Sequence, residues 1–339
     1  MSTDPVSTTP VLTIRDLRTC LELDEGQLVA VDRVSLELRE RRTLGLIGES
    51  GCGKSMAAKS ILRILPKAGR ITGGEMLLHR EAGGAVDIAQ LTDRGRRMRE
   101  IRGGRVAMVF QEPMTSLSPV HTVGDQVCEM IRQHVTRDRA EARERAVDML
   151  TRVKISRPAE RMKEYPHQLS GGLRQRVMIA MALACHPALL IADEPTTALD
   201  VTVQAQILSL MKELQAELGM SVLFITHDLG IIARVADEVA VMYLGQIVEQ
   251  GSKRDIYRGP LHPYTRGLMA AVPRPGEGRR RRLPAIKGTV PLPINLPDRC
   301  RFFERCPLAK AGTCDVAVPE LQDVGGDHSV RCFRAGETA

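Results

Sequence analysis

Eight residues, Gly48-Glu49-Ser50-Gly51-Cys52-Gly53-Lys54-Ser55, constrain what this chain can fold into more than any other feature. They fit G-x-x-x-x-G-K-[ST]. They also lie between an apolar pentad, Leu44 to Gly48, that reads as a short buried strand, and a helical pattern from Lys54 to Leu65 stopped by Pro66. Strand, glycine turn and helix N-terminus in that order let backbone N–H groups converge on phosphate oxygens while the helix dipole adds attraction. The loop from Gly48 to Ser55, continued by Met56, is therefore read as a phosphate site, with Lys54 reaching the β- and γ-phosphates and the Ser55 hydroxyl on Mg2+. A glycine-rich turn that binds nothing is the plain alternative, and the flanking strand and helix argue against it.

The rest of the chain supplies a sheet to carry that loop. Alternation from Val11 to Arg39 around Asp24-Glu25-Gly26 reads as an antiparallel pair. Continuously apolar runs at Val106 to Phe110, Leu189 to Asp193, Val222 to Thr226 and Val239 to Tyr243 read as strands of a parallel sheet covered on both faces. His121 to Lys154 has helical periodicity with dense Arg and Glu, the pattern of a solvated helical insertion. After Gly251 the texture changes to Pro-rich turns, the basic run Arg279 to Arg282 and a group of cysteines, so the boundary is placed there. No solenoid-type internal repeat is present.

Composition narrows the class. At 43% hydrophobic and 26% charged residues the chain reads as globular. Its longest apolar stretch, Val177 to Ala192, is interrupted by His186 and Pro187 and is shorter than a spanning helix requires, so no transmembrane segment is expected. The N-terminal MSTDPVSTTP has neither a basic nor an apolar region, so no secretory signal is expected and the default compartment is the cytoplasm. A net charge of +7 decides nothing alone. With aromatics at 3% and no Trp, a platform for stacking single-stranded bases has few candidates, and no nucleic-acid partner is expected.

A phosphate loop needs a second ligand for the metal and a group to handle the attacking water. Leu189-Leu190-Ile191-Ala192-Asp193-Glu194 offers both, because adjacent strand residues point to opposite faces and can take different jobs: Asp193 for Mg2+ and Glu194 as general base. Standing alone, such a pair would read as an ordinary helix cap.

Between the two motifs lies Leu169-Ser170-Gly171-Gly172-Leu173-Arg174-Gln175-Arg176, and here the chain resembles the ATP-binding subunits of ABC transporters. Further motifs follow the family's order: Gln111 after VAMVF, Ala198-Leu199-Asp200, and His227 after LFIT. The resemblance implies an α/β fold, a P-loop ABC ATPase core with an antiparallel β subdomain and a helical subdomain, plus a small Cys-rich C-terminal extension. On this reading the core spans residues 1–250, with the helical insertion at about 112–175, and the extension spans 251–339. It implies that Ser170, Gly171, Gly172 and Gln175 complete the ATP site of a second subunit, that Gln111 touches Mg2+, and that His227 contacts the γ-phosphate. The family usually stacks adenine on an aromatic of the first hairpin; Arg18-Thr19-Cys20-Leu21-Glu22 has none, which leaves Leu21 or Val31 as apolar contacts and GTP use open.

Gln111-Glu112-Pro113-Met114-Thr115-Ser116-Leu117-Ser118-Pro119, the segment His262 to Leu268 and Cys306-Pro307 narrow the resemblance to the oligopeptide/dipeptide importer subfamily. This implies a heterodimer with a second ABC ATPase, two integral-membrane permease subunits, an extracytoplasmic substrate-binding protein, and a peripheral place on the cytoplasmic face of the membrane. Nickel complexes and glutathione are alternative cargoes, and a soluble ABC ATPase acting on nucleic acid or ribosomes is the more distant one. Cys300, Cys306, Cys314 and Cys332 are spaced C-x5-C-x7-C-x17-C, unlike a zinc ribbon or a ferredoxin run. Spacing alone leaves iron–sulfur, zinc and free thiols open; the resemblance implies a 4Fe-4S cluster, with a structural role as the plain reading and redox sensing as the sharper one. Arg299 stands where family members often carry Gly.

Overall fold

The computed structural model describes residues 9–80, 83–112, 116–197, 199–272 and 285–337. Pro113 to Thr115, Ala198 and the basic run Arg279 to Arg282 lie outside the described residues. The chain divides into two compact units, one holding residues 9–11, 38–42 and 91–223, the other 12–37, 43–90 and the chain from 224 onward.

In the second unit the expected hairpin is present as β1 (Pro10–Leu23) and β2 (Gly26–Arg39), joined by the turn at Asp24-Glu25. Leu44 to Ile47 of the apolar pentad, with Thr43 ahead of them, form β3 (Thr43–Ile47), all five residues of which are buried. β4 (Gly69–His79) and β5 (Ala85–Asp87) extend the hairpin into a four-stranded sheet of order β2-β1-β4-β5. Ile14 faces Met76 across the antiparallel β1–β4 pair, and both are buried, as alternation requires.

The helix after β3 is shorter than its sequence pattern. α1 (Lys54–Ile61) stops well before Pro66, because Arg63 adopts a left-handed φ of 51°. The Arg63 N–H then reaches Ser60 O at 3.0 Å and the Ile64 N–H reaches Lys59 O at 2.9 Å, the two bonds of a Schellman ending.

A second sheet of this unit runs β11 (Gln322–Gly325), β12 (His328–Val330), β10 (Gln246–Ser252), β9 (Glu238–Tyr243), β3. Only β3 and β9 are parallel among these, in register Leu44↔Glu238 to Ile47↔Val241. The boundary expected after residue 250 falls inside β10, whose Glu249 pairs with Val330. The C-terminal residues therefore add strands to this unit and bury Phe302 against Tyr243 at 5.2 Å between ring centroids. The Pro-rich composition marks turns on the surface of this body and not the edge of its core.

In the first unit β6 (Val106–Val109) and β7 (Leu189–Asp193) pair in parallel, every residue buried. The insertion resolves into α3 (Val123–His134) and α4 (Arg139–Arg152), which pack with each other and with α6 (Gly171–Leu183). Val123, Val127 and Ile131 form the buried stripe of α3, and Ala142, Ala146, Met149 and Leu150 that of α4. Short α2 (Arg96–Ile101) and α5 (Pro158–Arg161) and the long α7 (Val201–Leu218) complete this unit, and the division of the chain falls within β8 (Ser221–Thr226).

Candidate nucleotide site

β3 delivers the phosphate loop directly to the N-terminus of α1. Two of its glycines are demanded by backbone crowding: a Cβ on Gly48 would stand 2.2 Å from Met242 O, and one on Gly53, at φ 106°, 2.2 Å from Ala30 O. Lys54 is 5% exposed, its ammonium donating to Gly48 O at 2.8 Å and Glu49 O at 2.9 Å, so the charge is held over the loop it serves. Ser50 and Gly51 are exposed at the loop's crest, and Ser55 and Met56 are half-buried on the first turn of α1, which carries no acidic residue. Cys52 is buried, and burial pushes its thiol up, partly offset by the Lys54 charge. The Cys52 carbonyl accepts the Gly245 N–H at 2.9 Å, tying the loop to the β9–β10 turn.

At the end of β7, Asp193 is 4% exposed. Glu194 follows with φ 45°, a left-handed backbone uncommon for a non-glycine residue. Its Oε2 accepts from Gln111 Nε2 at 3.1 Å and from Thr197 Oγ1 at 2.9 Å. The structure thus brings Gln111 and Glu194 together, and the amide and the Thr197 hydroxyl both donate to the carboxylate.

Ser170 is the exposed N-cap of α6 but makes no capping bond with its side chain. Among the described residues nothing lies within 4 Å of a Cβ position on Gly171, so this helix start is open. Gln175 is buried, with no hydrogen-bond partner for its Nε2 among the described residues. Asp200 accepts the Thr202 and Val203 N–H groups at 3.0 and 2.9 Å and is the cap of α7. His227 is exposed at the end of β8, and its neighbour Asp228 caps α8 (Leu229–Val235) through the Ile231 N–H at 3.1 Å.

Residues 31–197 match the ABC transporter family. Residues 248–314 match the oligopeptide/dipeptide transporter C-terminal region. A probable peptide ABC transporter ATP-binding protein from Sinorhizobium fredii is 49% identical over 96% of this chain and 96% of its own length. The chain belongs to the ATP-binding proteins of ABC transporters, in the oligopeptide/dipeptide group. The oligopeptide transport ATP-binding protein AppD of Bacillus subtilis is 47% identical over 95% of this chain and 96% of its own. The glutathione import ATP-binding protein GsiA of Salmonella choleraesuis is 50% identical over 83% of this chain and 45% of its own. Among solved structures, the dimeric bacterial ABC transporter cassette MJ0796 superposes with a TM-score of 0.61 at 28% identity, covering 71% of this chain and 98% of the cassette. The same cassette has been solved in a post-hydrolysis state bound to ADP and Pi. An ABC ATPase cassette therefore accounts for the α/β core, and no helix among the described residues is long and apolar enough to cross a membrane.

This ABC ATPase departs from its sequence reading at the hairpin. Val31 is fully buried and offers no face to a base, while Leu21 is half-buried. The reason is register: Val31 lies in the buried stretch of β2 from Ala30 to Asp32.

Cys300, Cys306, Cys314 and Cys332 do converge. The Cys300 N–H donates to Cys314 O at 3.1 Å, and burial pushes the Cys300 thiol up to about 11, with the other three cysteines adding to the rise. Burial also raises Cys306 and Cys332, and each feels its neighbours in the group. Four soft thiols suit iron–sulfur or zinc by donor chemistry. By position they do not fit: among the described residues no three His, Cys, Asp or Glu side chains are set to hold one metal ion.

Sequence reasoning missed what braces the loop. The Glu49 carboxylate takes both arms of Arg305, at 2.7 and 2.9 Å, and the Glu49 N–H donates to Tyr264 Oη at 2.9 Å. No local signal pairs residues this far apart; only the odd placement of a carboxylate inside a phosphate loop hinted that it has a cationic partner.

Proposed function

We propose that this chain is the ATP-binding, ATP-hydrolysing subunit that powers import of di- and oligopeptides through an ABC transporter. The observation that carries it is one chain joining an ABC cassette to the oligopeptide/dipeptide C-terminal region. In this reading the loop amides from Gly48 to Met56 and Lys54 hold the triphosphate. Ser55, Asp193 and Gln111 offer the hard oxygen donors that suit Mg2+, which when bound neutralises charge on the β- and γ-phosphates. Glu194 accepts a proton from the attacking water as the water oxygen bonds to the γ-phosphorus and the bond to the bridging oxygen breaks, releasing ADP and phosphate. His227 steadies the γ-phosphate. Ser170, Gly171, Gly172 and Gln175 serve the nucleotide bound by a second ABC ATPase, and the open start of α6 supports that role.

The further partners proposed are two permeases and an extracytoplasmic binding protein, with the chain on the cytoplasmic face. For Cys300, Cys306, Cys314 and Cys332 only the resemblance speaks for a 4Fe-4S centre, with zinc and free thiols as the alternatives, since no three of these side chains are set to hold one metal ion; iron, sulfide and zinc analysis of purified protein separates the three. Identity to GsiA favours glutathione as a second cargo reading. The test is to tag the chain, extract membranes in mild detergent and identify co-purifying proteins by mass spectrometry. Two permeases and a second ATPase support the reading; recovery only in the soluble fraction with nucleic acid or ribosomes overturns the transport role. Uptake assays with labelled dipeptide and labelled glutathione then separate the cargoes.

A further inference from the structure

Glu49 is the second residue of the phosphate loop, and the guanidinium that grips it lies 256 positions away. Arg305 is spent entirely inside this arrangement. Besides its two bonds to Glu49, its Nε donates to Lys287 O at 2.9 Å and its terminal nitrogens to Gly288 O at 3.3 Å and Tyr243 Oη at 3.4 Å. The guanidinium carbon also sits 5.7 Å from the Tyr243 ring centroid, and the side chain is 5% exposed. Such an arginine, with its planar fork matched to one carboxylate, is not solvated dressing.

The second contact comes through an aromatic stack. Tyr264 is fully buried, 4.7 Å from Tyr243 and 5.4 Å from Phe302 between ring centroids. Its helix, α10 (Pro263–Ala270), follows α9 (Lys253–Arg258) and starts from His262, whose Nδ1 accepts the Tyr264 N–H at 3.0 Å. Burial drives the His262 pKa down to about 3, so its ring stays neutral and keeps the lone pair that this bond needs. Phe302 lies between Cys300 and Cys306, and Arg305 immediately precedes Cys306, so one contact comes from the cysteine-bearing segment and the other is packed against it through Phe302.

We infer that Arg305 and Tyr264 are positioning residues for the phosphate loop, through which the C-terminal segment sets the loop's affinity for nucleoside triphosphate. The inference rests on the nucleotide-binding role proposed above. Two effects act together. An unneutralised carboxylate within a loop built to hold a triphosphate would repel it, and Arg305 cancels that charge from the side. A loop with three glycines loses backbone freedom on closing around phosphates, and fixing Glu49 at both its carboxylate and its N–H removes part of that loss beforehand.

The test compares full-length variants in the assembled transporter, with steady-state hydrolysis of MgATP and, on the purified full chain, equilibrium binding of the magnesium complex of a non-hydrolysable ATP analogue. Arg305→Gln is expected to raise KM by about tenfold with kcat within about twofold, and Arg305→Lys to fall between it and wild type. Tyr264→Phe keeps the ring and loses the acceptor, with KM raised about threefold. Adding Glu49→Gln to Arg305→Gln removes the repelling charge and should return KM to within about threefold of wild type; a merely structural role would show no such rescue. An unchanged KM in Arg305→Gln and Tyr264→Phe, or a double variant as impaired as the single, overturns the inference. Lys54→Ala separates the two levels: if it leaves analogue binding intact, the nucleotide site itself is wrongly assigned. If it abolishes binding while Arg305→Gln binds like wild type, only the bracing role falls.

Discussion

The phosphate loop and the start of α6 are both helix N-termini suited to anions, yet they are built differently. The loop is gripped on every side: Glu49 by Arg305 and Tyr264, Cys52 O by Gly245, and Lys54 by its own loop's carbonyls. Ser170 and Gly171 are exposed, the serine caps nothing with its side chain, and the glycine faces open space. The contrast matches the proposed roles, in which the loop is prepared in advance for a ligand of its own chain and the start of α6 is left uncovered for one carried by another subunit.

The contrast can be broken most forcefully at chemistry. Glu194→Gln should lower phosphate release by about 10²-fold or more while leaving binding of MgATP intact, since the amide keeps the shape but takes no proton; normal turnover would remove Glu194 as the base. Next, if the proposed trans role of this helix start holds, Ser170→Arg should leave analogue binding by the purified chain unchanged and cut hydrolysis by the assembled transporter by about tenfold or more. Weaker binding by the isolated chain would erase the distinction between the two helix ends.

A third prediction probes the brace through pH. His262 is neutral in the fold, its pKa driven to about 3 by burial, against the ordinary value near 6.5. The unfolded chain binds more protons between these values, so stability rises with pH across the window and is lost as pH falls below about 6.5. Between pH 7 and 5 the loss is about 2 kcal/mol, readable by denaturant unfolding, and His262→Asn, which can still cap α10, should flatten it. The smallest effect is expected on the other side of the comparison. Thr122 and Asp125 form a capping box on α3, and Thr122→Ala should cost about 1 kcal/mol of stability without moving KM for ATP.

Reading the chain as sequence works where burial is continuous and local. β6, β7, β8 and β9 each match an apolar run to within a residue at either end, because a strand covered on both faces carries no polar interruption to blur its limits. The helical insertion is legible as helix, and its break between His134 and Arg139 follows from Asp138 acting as a cap. β4 escapes notice because Gly73 and Gly74, the latter at φ 85°, interrupt its alternation beside the irregular register at Arg15 to Thr19. β11 is exposed at all four residues and carries no pattern at all. The motif residues of the site are legible for a related reason: their spacing is fixed by one turn of backbone. The Arg305–Glu49 pair is set by tertiary packing, which leaves no trace in spacing.

That separation also has a consequence for the chain as it is made. Synthesis proceeds at about 5–20 residues per second, so roughly 13–50 s pass between the emergence of the glycine loop and that of its arginine, 256 positions later. During that interval the nascent polypeptide carries a complete phosphate motif with its acidic residue unopposed. A chain cut short just before residue 305 stays in that condition permanently, with the ATPase motifs through His227 and the Tyr264 contact in place and the guanidinium missing. The arrival of residue 305 is thus what opposes the charge of a loop made 256 positions earlier.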